Sequence, residues 1–240
     1  MKAFLLAAGR GTRISRFVDD VPKCTLPVAG VPLIRKTAEI LLNTGFEVVV
    51  CVGYKSSSVY DALESLPVTY YVNPFYEVTN SIASLWFARD EIKSDILILN
   101  ADVYFTKRIL DSLMLDNRDA VMVIDHTRTE NGDYYFSTTA DGTIKKYGKT
   151  LPLKVRTCEY VGIAKISHNI IMTFKERLNA LVMNAQYNLW WENVLYSFTD
   201  DRSFDIHTMD VNGDFWAEID YFDDYQRILK HVEKMDELNG

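Results

Sequence analysis

The 240-residue sequence holds only 3 cysteines, Cys24, Cys51 and Cys158, odd in number, far apart and without a CxxC pair. That pattern argues against both a disulfide framework and a zinc ribbon, and fits a reducing compartment. The 4 histidines, His126, His168, His207 and His231, are equally scattered, with no i, i+4 pair to put two imidazoles on one helical face. No apolar run approaches the ~18 residues that span a bilayer. The apolar stretch 3–8 is shorter than a signal-peptide core and runs straight into Gly9, Arg10, Gly11 and Arg13. A cytoplasmic protein with no membrane partner is expected. Positive charge is also scarce: 26 Lys and Arg stand against 33 Asp and Glu, a net charge of −7. This argues against a nucleic-acid partner, because affinity for a phosphate backbone needs a basic surface.

Apolar residues are plentiful, at 48%, and the aromatic share of 12% is too high for a disordered chain. A chain of this length buries roughly 70–75% of its unfolded surface in one domain, so no metal or disulfide is needed for stability. The charges are unevenly spread. Residues 1–30 carry Lys2, Arg10, Arg13, Arg16 and Lys23 against Asp19 and Asp20, a basic end suited to a small anion. Residues 199–240 carry 4 basic against 12 acidic side chains, with Asp214, Glu218, Asp220, Asp223 and Asp224 crowded together, an acidic end suited to a cation.

Short β-branched runs at 3–7, 47–52, 68–72, 95–99 and 120–124 alternate with helical periodicity at 31–43, 57–63, 81–92 and 107–115, the signature of an α/β protein with a mainly parallel sheet. Pro32 opens the first helix and Gly45 closes it. Beyond Ile124 the pattern changes. Residues 134–138 and 143–147 flank Ala140, Asp141 and Gly142 and predict a hairpin, so the sheet becomes mixed. A strand at 159–166, helices at 169–180 and 189–198, a strand at 204–209 and a helix at 221–234 complete the pattern. No repeat or linker interrupts it, which predicts a single domain over 1–240.

Four segments carry possible chemistry. The first strand leads into Ala8, Gly9, Arg10, Gly11, Thr12 and Arg13, where glycines let the backbone approach a ligand and exposed N–H groups form an anion-binding nest. A tight β-to-α turn with solvated arginines explains the glycines equally well. The loop lacks the GK[ST] ending of a P-loop, and Ile14 stands where a dinucleotide fingerprint needs glycine. In the second segment Pro22 and Pro27 stiffen the backbone around Lys23, presenting its ammonium to phosphate, although an isolated Pro-Lys pair more often marks a solvated lysine. Third, Asp102 leaves the apolar strand 96–99 at its carboxyl end, where ligands bind in open α/β sheets, and Thr106 is the better cap for the next helix. Fourth, Glu218 and Asp220 share one face of an extended segment while Ile219 enters the core. Asp220 is also placed to cap the last helix.

Taken together, LAAGRGTR, PKCTLPVAGVPLI, NAD at a strand end and WAEID before the last helix resemble the nucleotidyltransferases that activate sugar phosphates and small phosphomonoesters. The stretches Thr79 to Leu85, Gly148-Lys149 with Glu159 to Ile163, and the Glu218, Asp220 pair are most similar to small bacterial cytidylyltransferases acting on phosphocholine and related compounds. The resemblance implies a three-layer αβα Rossmann-like fold with a mixed, mostly parallel sheet. It also implies a nucleotide-binding half, 1–125, and an acceptor-binding and metal-completing half, 126–240.

The implied substrates are CTP, or another NTP, and a small phosphomonoester. Leu6, Ala8, Gly9, Arg10, Gly11, Thr12, Asn80, Ser84 and Ala101 would line the nucleotide site, with Arg13 on the leaving pyrophosphate and Lys23 on the α-phosphate. Asp102 and Asp220, helped by Glu218, would hold Mg2+. Lys149, Glu159, Trp190 and Glu192 would face the acceptor, with Lys145 and Lys146 as rivals for the Lys149 role. A monomer or homodimer is expected. A sugar-1-phosphate nucleotidyltransferase using dTTP, UTP or GTP is the alternative. Trp190, Trp191, Trp216, Tyr160 and Tyr221 either box a quaternary ammonium or pack the core.

Overall fold

Apolar alternation in the first strand sends Ala3, Leu5 and Ala7 to one face of a sheet and Phe4 to the other, and each face acquires its own helical layer. The computed structural model describes residues 1–11, 21–130 and 132–239. Strand β1 (Lys2–Ala7) is followed by β2 (Pro27–Val28), β3 (Val31–Pro32) and α1 (Leu33–Asn43). Next come β4 (Glu47–Val52), α2 (Ser56–Ala62), β5 (Val68–Val72), α3 (Ser81–Phe87), β6 (Ile96–Asn100), β7 (Val103–Phe105), α4 (Lys107–Leu115) and β8 (Ala120–Asp125). The remainder is β9 (Tyr135–Thr138), β10 (Ile144–Gly148), β11 (Cys158–Ile166), α5 (Ile171–Met183), α6 (Asn193–Asp201), β12 (His207–Asp210), β13 (Trp216–Glu218) and α7 (Phe222–Asn239).

The main sheet runs β10-β9-β11-β6-β1-β4-β5, with β8 on β11 and β12 on β8. Ladders β6-β1, β1-β4, β4-β5 and β8-β12 are parallel, while β11 runs antiparallel to β6, β8 and β9. The predicted mixed, mainly parallel sheet is therefore present. On one face Ile34, Ala38 and Leu41 of α1, Val59 of α2 and Leu110 and Leu113 of α4 close over Leu5, Val50 and Leu99. On the other, Ile82 and Leu85 of α3, Phe174 of α5 and Val194 and Phe198 of α6 close over Phe4, Val49 and Ile98. Complete burial of each such side chain stabilises the fold by about 1.5–3 kcal/mol. Among the described residues no helix is long and apolar enough to cross a membrane.

Several boundaries differ from the sequence pattern. Val31 and Pro32 pair with Pro27 and Val28 as a short antiparallel ladder, so α1 starts at Leu33. The apolar run 81–92 breaks at Phe87 into a 3-10 turn, Arg89–Glu91. Trp190 and Trp191 precede α6 instead of lying within it. The segment just after Asp102 is a further strand that the sequence pattern does not announce: β7 pairs antiparallel with β13, Val103 facing Glu218. This two-stranded ladder carries a third apolar cluster, in which Ala217 and Ile219 pack on Tyr225 and Ile228 of α7.

Strand β11 pairs irregularly with β8 between Tyr160 and Ala164, and Gly162 lies there with φ of +89°. A Cβ on Gly162 would meet Val103 Cγ2 at 2.9 Å and Asn100 Nδ2 at 3.2 Å. Glycine thus fits both the backbone and the space at this bulge, which turns the strand beside the cleft described next. Gly162→Ala is expected to destabilise the protein by about 1–3 kcal/mol, read as a lower urea midpoint at unchanged m value.

Candidate active site

The parallel strands β1 and β6 end side by side, Leu6 opposite Asn100, and the chain leaving each of them lines one cleft. Its walls include Leu6, Ala8 and Gly9 from the first strand and its exit, and Asn80 and Ser84 around the start of α3. Asp102, Glu218 and Asp220 line it on another side, and Lys149, Trp190 and Glu192 at its far end. Of the residues read from the sequence as nucleotide contacts, Ala101 is buried and donates its N–H to Leu6 O at 3.3 Å, while Arg10 lies over the Tyr54 ring at 5.5 Å. Thr12 and Arg13 lie outside the described residues.

Lys23 sits in a 3-10 turn, Lys23–Thr25, preceded by Pro22 with φ of −58°. Its side chain is not solvated. The Nζ donates to Asp220 Oδ1 at 2.7 Å and lies 3.6 Å from Asp102 Oδ2. Gly11, with φ of +61°, packs against the aliphatic stem so closely that a Cβ there would fall 2.5 Å from Lys23 Cγ. The glycine thus serves the lysine's position as well as the loop's turn. The β7-β13 ladder sets the two carboxylates opposite each other: Asp102 precedes β7, Asp220 follows β13, and Ile219 N donates to Asp102 O at 3.0 Å.

The charges in this cluster do not cancel. Burial lowers the Lys23 pKa, but Asp102 and Asp220 outweigh it and the net shift is upward. Burial raises Asp102 despite Lys23, with Asp220 adding to the rise. Glu218 rises well above the usual carboxylate range through burial and then through repulsion from Asp102 and Asp220. Three carboxylates around one ammonium leave an excess of negative charge with oxygen-only donors, the set that hard divalent cations take. In the present arrangement no three His, Cys, Asp or Glu side chains among the described residues are poised around a single metal position.

The far end of the cleft is built differently. Lys149 Nζ donates to Asp133 Oδ2 at 2.6 Å and stands 5.0 Å from the centroid of the Trp190 ring. Lys145 instead reaches toward Asp205 at 3.7 Å. Glu159 does not line the main cleft. It is buried behind it, paired with Arg128, and its Oε1 accepts from Asp133 N at 2.8 Å. Of the five aromatics considered for a cage, Tyr160 and Trp190 line the cleft. Trp191 is fully buried, Trp216 donates to Asp125 Oδ2 at 2.8 Å, and Tyr221 is exposed.

A family model described as the MobA-like NTP transferase domain matches residues 3–161. The chain belongs to this family. The CTP:phosphoglutamine cytidylyltransferase of Campylobacter jejuni is 23% identical to this transferase domain over 250 residues, covering 94% of this chain and 98% of that one. A bifunctional protein GlmU of Methanococcus maripaludis is 31% identical over 126 residues, 52% of this chain, and the match spans 30% of that longer relative. In structure, the CTP:phosphocholine cytidylyltransferase of Streptococcus pneumoniae superposes with a TM-score of 0.79 at 20% identity, covering 96% of this chain and 98% of that one.

Two asparagines of the transferase domain's cleft lie outside the site residues expected from the sequence. Asn73, buried, donates Nδ2 to Thr79 Oγ1 and to Ser84 Oγ, both at 3.0 Å, and so orients two hydroxyls at the start of α3. Asn100 accepts from Trp191 Nε1 at 3.1 Å and donates to Glu192 Oε1 at 3.4 Å. The signal for both was position, since Asn73 follows β5 and Asn100 ends β6 at the carboxyl edge of the sheet, and Asn100 also opens the NAD motif.

Burial pushes the Glu192 carboxyl up to about 7. Between pH ~4.5 and ~7 the folded protein therefore keeps a proton that the unfolded chain has released, so stability falls as pH rises through that window and stays lower above it. Glu192→Gln removes this titration. The variant is expected to match the wild type at pH 4 and to exceed it by about 2–3 kcal/mol at pH 8. Urea unfolding at both pH values measures the difference, and a gap independent of pH would contradict the assignment.

Proposed function

We propose that this protein is a cytidylyltransferase, joining CTP to a small phosphomonoester to give a CDP-activated product and pyrophosphate. The observation that carries this reading is the Lys23 ammonium held between Asp102 and Asp220 at the carboxyl edge of the sheet, beside the Gly9 turn. An oxygen of the acceptor's phosphate attacks the α-phosphorus of the nucleotide, a P–O bond forms there, and the bond to the β-phosphate breaks. The attacking oxygen is already ionised near neutral pH, so no general base is required. Phosphoryl-type transfer asks mainly for alignment and charge stabilisation, which fixed cations and backbone N–H groups supply. CTP as donor draws support from the Campylobacter CTP:phosphoglutamine and Streptococcus CTP:phosphocholine cytidylyltransferases that this chain resembles.

Within this reading Gly9 and the described part of its loop cradle the phosphates, and Lys23 exchanges its carboxylate partner for the charge developing on the α-phosphate. Ser84 and Asn80 stand on the nucleotide side; Lys149, Trp190 and Glu192 stand on the acceptor side. This division supports a nucleotide-binding half, 1–125, and an acceptor-binding half, 126–240. Asp102 and Asp220, with Glu218 near, would hold Mg2+, because their oxygen donors and uncompensated charge suit a hard cation. Such an ion would polarise the phosphoryl oxygens and neutralise the leaving pyrophosphate.

Pyrophosphate release with magnesium tests the reading, using CTP, UTP, dTTP, GTP and ATP against phosphorylated amino-alcohols, phosphorylated amino-acid derivatives and sugar 1-phosphates. Release with CTP that requires a second substrate supports it; release only from dTTP, UTP or GTP with a sugar 1-phosphate replaces it. Lys23→Ala is expected to lower kcat about a hundredfold or more, and a change in KM alone would make Lys23 a binding residue. Asp102→Ala is expected to abolish turnover with the circular dichroism spectrum unchanged, and near-normal turnover would remove it from the site.

A further inference from the structure

At the acceptor end of the cleft, two buried polar groups lack the partners that burial demands. Glu192 is 6% exposed, and no Lys, Arg or His among the described residues forms an ion pair with it. The nearest candidate, Lys149, is bound to Asp133. The donors to the carboxylate are its own backbone amide and Asn100 Nδ2, the latter at a long 3.4 Å. Tyr160, also 6% exposed, has a buried hydroxyl with no hydrogen-bond partner among the described residues. Tyr160, Glu192 and Glu218 line the same cleft. Buried polar groups are almost always satisfied in proteins, and those that are not commonly await a ligand or an ion.

The walls around this pair are aromatic. Tyr134 stacks on Tyr196 with centroids 5.5 Å apart and meets Trp190 edge-on at 5.9 Å, and all three line the same end of the cleft. A buried carboxylate among rings favours a cation. A neutral hydroxyl could bond to Tyr160 but would leave the carboxylate without a counter-charge. A quaternary ammonium could supply the charge and lie against the rings, but it has no N–H for either Glu192 or Tyr160, and both would stay unsatisfied. A primary ammonium meets both needs, placing one N–H on the carboxylate and another on the phenol oxygen while its alkyl chain contacts Trp190.

We infer that the acceptor is a phosphomonoester bearing a primary ammonium group, held by Glu192 and Tyr160 at the aromatic end of the cleft. The inference rests on the reading of the cleft as a cytidylyltransferase site and narrows its second substrate. It makes the acceptor a zwitterion, with the phosphate toward Lys23 and Asp102 and the ammonium toward Glu192. An enzyme that phosphorylates an amino-alcohol or an amino acid derivative, or one that releases such a phosphomonoester, would have to supply it.

The test compares acceptors with CTP and magnesium: phosphoethanolamine, its size-matched neutral counterpart 2-hydroxyethyl phosphate, the bulkier quaternary phosphocholine, and glucose 1-phosphate. The wild type is expected to prefer phosphoethanolamine by at least a hundredfold in kcat/KM over 2-hydroxyethyl phosphate and by at least tenfold over phosphocholine. Glu192→Gln is expected to bring the ammonium-to-hydroxyl preference to within about threefold. Tyr160→Phe, a milder change to the core, is expected to narrow the gap between phosphoethanolamine and phosphocholine and to leave the KM for CTP in place. Equal or better turnover of 2-hydroxyethyl phosphate, phosphocholine or glucose 1-phosphate would overturn the ammonium assignment while leaving the reaction class standing. Absence of pyrophosphate release from every acceptor and every NTP would overturn the cytidylyltransferase reading, and this inference with it.

Discussion

One ion-pair cluster closes the molecule on itself. Lys23 belongs to the turn after the first strand, Asp102 to the exit of β6 and Asp220 to the exit of β13, yet their charged atoms meet within 3.6 Å. A lysine this deeply buried is tolerable only when paired, and carboxylates this close together are tolerable only with a cation between them. The turn between Pro22 and Pro27, the close approach of Gly11 and the β7-β13 ladder all serve to hold that meeting. Removing Lys23 would leave the carboxylates without a counter-charge in the interior.

The same cluster is overloaded with negative charge, and that excess opposes stability. Glu218 and Asp102 are both pushed toward the protonated state, and Glu192 joins them from the far end of the cleft. A sequence selected for stability alone would place apolar or amide side chains at such positions. On the proposed reading their ionisable character is matched by positive charge that comes with the substrates: a cation for the Asp102, Asp220 group and an ammonium for Glu192. Binding energy would then come partly from relief of the repulsion among these carboxylates.

The sequence carried the local parts of this plan and missed the non-local ones. Strands β1, β4, β5, β6 and β8 follow from β-branched runs, and their parallel order follows from the helices between them. Gly9, Lys23, Asp102 and Asp220 were legible because each sits at a strand exit or in a proline-stiffened turn, where position in the chain already implies position at the sheet edge. The short β7 was not legible: three residues have no periodicity of their own, and β7 exists because β13, over a hundred residues later, pairs with it. The start of α1 was misplaced for a related reason, since Pro27 and Val28 draw Val31 and Pro32 into a ladder. Glu159, chosen from its motif, is held behind the cleft wall by Arg128, a partner that only the folded chain brings near. Asn73 was overlooked, and Asn100 was read only as part of the NAD motif, because an asparagine at a strand end looks like any turn residue until its amide is seen bridging two elements.

The two ends of the cleft therefore differ in how they are made. The phosphate end depends on backbone: a glycine turn, strand exits and a ladder, features fixed by the same hydrogen bonds that fix the sheet. The far end depends on side chains from three segments, Tyr134 before β9, Tyr160 in β11, and Trp190 and Glu192 before α6, the last steadied by Trp191 bonding to Asn100 and, through its backbone amide, to Ser81 Oγ at 2.9 Å. Those anchoring bonds hold the scaffold at residue 191 whatever side chain stands at 190 or 192. The side chains of the far end can thus change one at a time without disturbing the sheet, whereas each residue of the Lys23 cluster is tied to the strand exits that carry the others. Such a construction permits a shared reaction with divergent second substrates, and on the proposed reading the choice of acceptor is made by Glu192 and the rings around it.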